Sequence, residues 1–222
     1  MVGRVLALLV AALLTMGAVV PKGPAAPYIP PDRTAAQDAL GLLTTAAGRH
    51  AGAAQAVRAL APRLRVLDDV SPEPRGVAAW WSALTPAVRR ILVDAAPGVV
   101  GNLEGVPYAV RDEANRAVLA ADLAAVQRRL AGGPGRGEGT LLAVRLRTLD
   151  QVAEALTRPP GGPPRSLMTL DPENGDRAAI AIGDLQTAAY VDFLVPGMYF
   201  TVADQMVDWT DTAAAIQAQQ RG

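Results

Sequence analysis

Residues 165–201 read RSLMTLDPENGDRAAIAIGDLQTAAYVDFLVPGMYFT, and the fold class follows from how that stretch divides. Asn174-Gly175 accepts positive φ at both central positions of a type I′ turn. Set as a two-residue turn, it pairs Glu173 with Asp176, Leu170 with Ala179 and Met168 with Ala181. Pro172 then falls beside the turn, where an edge strand tolerates a missing N–H. After Arg177 the run AAIAI is apolar at every position, as in a strand covered on both faces. A third strand is expected over 191–195, stopped by Pro196-Gly197. A calcium reading of DPENGD fits poorly, because the glycine comes one place early and Ile182 stands where a bidentate Glu belongs.

Downstream, Thr201 caps a helix, with Asp204 three residues on in capping-box spacing. Val202, Met206, Trp209, Ala213 and Ile216 share one face of it, which would cover the sheet. Upstream, PPGGPP at 159–164 marks a boundary between a helical region, 32–160, and a strand-bearing region, 161–222. In the helix over 141–156, Leu142, Leu146, Leu149 and Ala153 align. GGPGRGEG at 132–139 is a linker: a phosphate cradle needs Gly-Lys-Ser/Thr entering a helix after a strand, and here no Lys is present and a helix precedes.

The helix over 108–130 carries its stripe at Leu119, Leu123, Val126 and Leu130, with Asp112 and Arg116 as an i,i+4 ion pair. By spacing, RDEANR at 111–116 is a solvated helix face, and Trp80-Trp81 is a core anchor. Thr85-Pro86 is an N-cap with proline at the first helical position. Val88, Ile91, Leu92 and Ala95 follow on one face, and Pro97-Gly98 stops the helix. The loop GNLEGVP at 101–107 places glycines where a turn calls for positive φ. Ser71-Pro72-Glu73-Pro74 is a break. Before it, 32–67 is Ala-rich and helical in pattern, with stripes at Leu40, Leu43, Ala47 and at Val57, Leu60, Leu64. His50 lies between those stretches. It reads either as a surface or helix-end residue or as a general base or pH switch.

Residues 1–20 read as an export signal. Arg4 supplies the positive start, and 5–20 is an uncharged run containing Leu6, Leu8, Leu9, Leu13 and Leu14. As a helix that run spans about 24 Å, short of a roughly 30 Å hydrocarbon core. That favours a signal peptide over a transmembrane helix; the cleavage site before Pro21 is weak, and an uncleaved N-terminal anchor is the alternative. Residues 21–31 hold five prolines and form a stiff linker. The expected location is outside the cell or on the outer face of the cytoplasmic membrane.

Composition narrows the functional classes. The chain has 222 residues, half of them hydrophobic, enough for one large domain or two small ones. Lys+Arg and Asp+Glu are both 21, so the basic excess of a nucleic-acid binder is missing. With no Cys and one His, thiolate and multi-His metal sites are excluded, as is a Cys nucleophile. No cofactor is expected. Ser71, Ser82 and Ser166 are the only serines, and none lies in a Gly-x-Ser-x-Gly elbow.

Trp80-Trp81, Leu84-Thr85-Pro86, the Gly101-Asn102-Leu103-Glu104-Gly105-Val106-Pro107 loop and Arg111-Asp112-Glu113-Ala114-Asn115-Arg116 resemble a family of exported actinobacterial alpha/beta hydrolases, long catalogued only as a domain of unknown function. The likeness returns at Gly183-Asp184, at the strand ending Val195-Pro196-Gly197 and at the Thr201 helix. It implies a mostly helical α/β fold: a helical region, then the first three strands and first covering helix of an alpha/beta-hydrolase-like sheet. It implies serine-hydrolase, esterase- or lipase-like ancestry. The family's catalytic serine, acid and histidine have no counterparts in this sequence, so no catalytic residue is assigned. One site position carries over, an oxyanion-loop candidate at Pro196, Gly197 and Met198. The expectation is a truncated or split relative, inactive alone. Its three-strand sheet would leave an inner edge unpaired, to be completed by self-association or by a partner chain. The alternative is a non-enzymatic cell-envelope interaction module that uses the helical region.

Overall fold

The computed structural model describes residues 6–12, 44–45, 51–60, 74–171, 177–197 and 199–221. The proline-rich linker 21–31, His50, the 71–73 break, the Asn174-Gly175 turn and Met198 lie outside the described residues, as do most of 1–20 and of 32–67. The protein is mixed α/β and mostly helical, with three strands following the helices and a covering helix after them. The chain divides into two compact units: residues 16–114, and residues 1–15 together with 115–222. The 159–164 segment joins a helix to a strand inside the second of these.

In the first unit, α1 (Ala51–Leu60), α2 (Pro74–Ser82), α3 (Pro86–Ala95) and α4 (Pro97–Asn102) enclose a small core. Trp80 and Trp81 are both buried in it, edge to face at 5.8 Å, as the core-anchor reading requires. The Trp80 indole N–H donates to the Ala56 carbonyl at 2.8 Å, so the large ring adds no unsatisfied donor. Thr85 caps α3: its Oγ1 accepts from the Val88 N–H at 3.3 Å, with Pro86 opening the helix. Arg89 of α3 donates to the Trp81 and Ser82 carbonyls, closing the end of α2. Between α4 and α5 (Tyr108–Ala131), Gly105 has φ +96°, as the glycine-rich loop suggested.

The solvated-face reading of RDEANR is overturned. Arg111 is only 3% exposed and Asn115 is fully buried. The Arg111 Nε–H donates to the Gly101 carbonyl at 3.1 Å, and its Nη2 sits 2.9 Å from Glu104. Asn115 donates to the Leu167 carbonyl at 3.0 Å and Arg116 to the Arg165 carbonyl at 2.7 Å. These groups satisfy backbone carbonyls, which is why the fold buries them.

The second unit is a sheet with helices packed on it. Its strands are β1 (Leu6–Ala12), β2 (Arg165–Asp171), β3 (Arg177–Ile182) and β4 (Tyr190–Leu194), in the order β2-β3-β1-β4. The core joins Leu119 and Val126 of α5, Leu149, Val152 and Ala155 of α6 (Arg136–Ala155), and Val202, Met206 and Ala213 of α7 (Val202–Arg221) to the sheet's Leu167, Leu170, Ala178, Ile180 and Ile182. Met168, Ala179 and Ala181 cluster separately with Leu185. β3 is therefore covered on both sides, as its unbroken apolar run predicts.

Two expectations about the sheet are corrected. The register between β2 and β3 is not the one a two-residue Asn-Gly turn would set. Leu170 pairs with Ala178 and Asp171 with Arg177, and beyond a bulge at Met168, Leu167 pairs with Ile180. The reason lies in the spacing of the leucines. Leu167 and Leu170 are an odd number of positions apart, so regular alternation would turn one of them away from the helices. The bulge inserts one extra residue and brings both into the main core. An ion pair of 2.6 Å between Arg177 and Asp171 closes the pair next to the turn. The second correction concerns the inner edge, which is paired. β1 lies between β3 and β4, antiparallel to β3 (Leu9↔Ala181) and parallel to β4 (Leu9↔Phe193). That position needs an uncharged strand, and LALLVAA supplies one.

Candidate functional site

The oxyanion-loop candidate lies where β4 runs into α7. Pro196 lies two positions past the end of the strand and cannot donate to a continued ladder. Tyr199 adopts φ +72° and is 93% exposed. A positive φ is uncommon for a residue with a bulky side chain and is a form of local backbone strain. Phe200 packs against the sheet core, with its ring centroid 5.7 Å from that of Trp209 at a 59° tilt.

The start of α7 is held by its first-turn side chains. Capping-box spacing pointed to Asp204 as the group reaching back to the Thr201 N–H. Gln205 does this instead, its Oε1 accepting at 3.2 Å, while Asp204 accepts the Thr201 hydroxyl at 2.7 Å. The shorter Asp side chain reaches the hydroxyl, and the longer Gln, one position on, reaches the backbone. Arg147 of α6 lies 3.4 Å from the other Asp204 oxygen.

Around this turn is an open cavity of about 300 Å³, lined by Pro196, Gly197, Tyr199, Phe200, Gln205, Asp208, Trp209 and Thr212. Its aromatic part is the Phe200–Trp209 pair. The Trp209 Nε1 is buried and has no hydrogen-bond partner among the described residues. A small group that accepts a hydrogen bond would suit such a site, with Gln205, Asp208 and Thr212 as polar neighbours. The candidate residues fare unequally. Gly197 lines the cavity and carries a backbone N–H. Pro196 also lines it but has no N–H, so it cannot be an oxyanion donor. The residues that sequence reading missed are Gln205, Asp208, Trp209 and Thr212. Their i, i+3, i+4, i+7 spacing marks one stripe of α7 and was available as a signal.

Neither described serine lines the cavity. The Ser82 hydroxyl donates to the Ala78 carbonyl at 2.8 Å on α2, and Ser166 lies in β2 opposite Ala181. Ser71 and His50 lie outside the described residues. Among the described residues there is no group of three or more His, Cys, Asp or Glu able to hold a metal ion, and no helix long and apolar enough to cross a membrane.

Fold and cavity together define a mostly helical α/β protein with a small, largely apolar sheet. Two curated proteins of Mycobacterium tuberculosis are similar to it: Uncharacterized protein MT2140 of strain CDC 1551 / Oshkosh and Uncharacterized protein Rv2079 of strain ATCC 25618 / H37Rv. Each is 33% identical in an alignment 137 residues long that covers 53% of this chain and 21% of the relative. The chain therefore spans about a fifth of the length of the curated relatives it matches. No family model matches the chain, and no solved structure matches it.

Proposed function

We propose that this chain is an exported alpha/beta-hydrolase-like protein that keeps its N-terminal segment, does not turn over acyl substrates by itself, and completes its sheet with its own first strand or with one added by a second chain. The observation that carries this reading is the element order from residue 165 onward: an antiparallel strand pair, a strand over Tyr190–Leu194 followed by the Pro196-Gly197 loop, and a helix that covers the sheet. The motif resemblance at 80–116 and 183–201 points the same way. Acyl transfer needs a nucleophile, a base and oxyanion donors within reach of one another. The described serines are committed elsewhere, and the loop offers donors at most. Arg4 and the uncharged run after it support export.

The assay is short-chain nitrophenyl ester hydrolysis by the full 222-residue chain, beside a Ser71→Ala, Ser82→Ala, Ser166→Ala triple variant. Both should run at the buffer rate. Turnover by the parent that the triple variant loses would identify a nucleophile and sink the reading. A second reading, a non-enzymatic cell-envelope interaction module, draws on the exposed apolar side chains of β4, where Phe193 is 68% accessible.

A further inference from the structure

β3 and β4 follow one another in sequence, yet they do not pair. They lie two strand spacings apart, about 9.5 Å, with β1 between them. Among the described residues β4 has no other strand neighbour, so its ladder pairing in the sheet comes from β1. β1 is not tied to either neighbour by a turn. Residues 16–114, which form a unit of their own, separate it from the rest of its sheet. The usual device that keeps a strand with its own sheet, a short connection, is missing here.

We propose that the position between β3 and β4 is a strand-accepting site, and that its occupant in trans is the Leu6–Ala12 strand of a second copy of this chain. This names the added strand in the proposed function. Three observations support a second copy as the donor. First, the slot selects for chemistry: β3 is buried from Ala178 to Ile182, and α7 packs against both β3 and β1, which favours an apolar occupant. Leu6–Ala12 meets that condition, and every copy carries one. Second, a long connection lowers the advantage of the strand's own slot, because effective concentration falls as the connector lengthens. Third, a reciprocal exchange fills both slots with native pairing, antiparallel to β3 and parallel to β4. The swapped dimer therefore loses no sheet hydrogen bond and closes on itself without a free inner edge.

The chain has no cysteine, so introduced ones report cleanly. Leu9 and Ala181 are direct partners across the antiparallel pair, where Cα atoms lie within disulfide range. The full-length Leu9→Cys, Ala181→Cys double variant should close an internal disulfide on oxidation. Full-length Leu9→Cys and Ala181→Cys single variants, refolded together and oxidised, should give a covalent dimer of twice the 23.0 kDa chain mass. Its yield should rise with protein concentration, and neither single variant alone should form it. If the double variant closes but the mixture gives no dimer, exchange is ruled out. If the double variant does not close, β1 is not seated beside β3 and the site itself is wrong. Ala11 with Ala179 is a second partner pair, for use if cysteine at Ala181 prevents folding. The ester assay and this crosslink fail independently, one reporting a nucleophile and the other a strand.

Discussion

Gly105 has φ +96°, and a Cβ there would fall 2.2 Å from the Pro74 carbonyl oxygen and 2.9 Å from the Val77 Cβ. Backbone atoms cannot swing aside as a flexible side chain can. Gly105→Ala should therefore destabilise the chain by about 2–4 kcal/mol, combining strain with a steric clash; the midpoint of urea unfolding checks it, and a midpoint equal to the parent's would show that the loop is placed wrongly. The need for a positive-φ glycine in the 101–107 loop could be read from its spelling, but which glycine could not. Gly101 is part of helix α4, and Gly105 carries the strained turn. Arg111 and Asn115 show the opposite limit. Charge at helical spacing reads as solvent-facing, whereas the carbonyls of Gly101 and Leu167 and the Glu104 carboxylate, all outside the helix, account for their burial.

Individual elements were legible in proportion to how local their causes are. The α3 start was read from Thr85-Pro86 alone because the cap bond spans three residues. Thr85→Ala should cost about 1 kcal/mol, measurable as a lowered thermal midpoint, and Thr85→Ser should restore most of it. The stripes of the last three helices likewise reappear in the main core. The β2–β3 register was misread because the turn dipeptide and the leucine spacing disagree, and the apolar pattern prevailed through a bulge. Exposure of Tyr190, Val191 and Phe193 on β4 was also not legible, since YVDFL spells a buried strand as readily as an exposed one. Phe193→Lys should leave stability within about 0.5 kcal/mol of the parent, as substitutions at open surface positions do. The same change should reduce association at the open side of β4. Sedimentation velocity, run beside a thermal melt, reads both effects.

For the whole molecule, the mixed, mostly helical class was plain from the sequence. The candidate site was legible only as a loop, since its cavity depends on how α7 turns against that loop. The pairing of the chain's first strand with its later ones was not legible at all, because no local pattern reports on a partner so far away. The proposed export of the chain can be tested apart from any structure. Residues 1–31 fused to a reporter active only outside the cytoplasm should give signal, and a stable, silent fusion would refute it. Replacing Leu8 and Leu9 with Asp in that fusion should silence the reporter by breaking the apolar run.

The place of β1 in the sheet also sets a schedule. Leu9 leaves the ribosome about 170 positions before Ala181, its partner across the sheet. At roughly 5–20 residues per second, that is a wait of about 10–30 s. Pairings so distant along the chain form slowly even once both halves exist. Throughout that interval LALLVAA has no sheet to join and stands open to any receptor for nascent apolar segments. Timing, rather than the stability of the finished fold, then decides whether the segment reaches the proposed export route or the sheet.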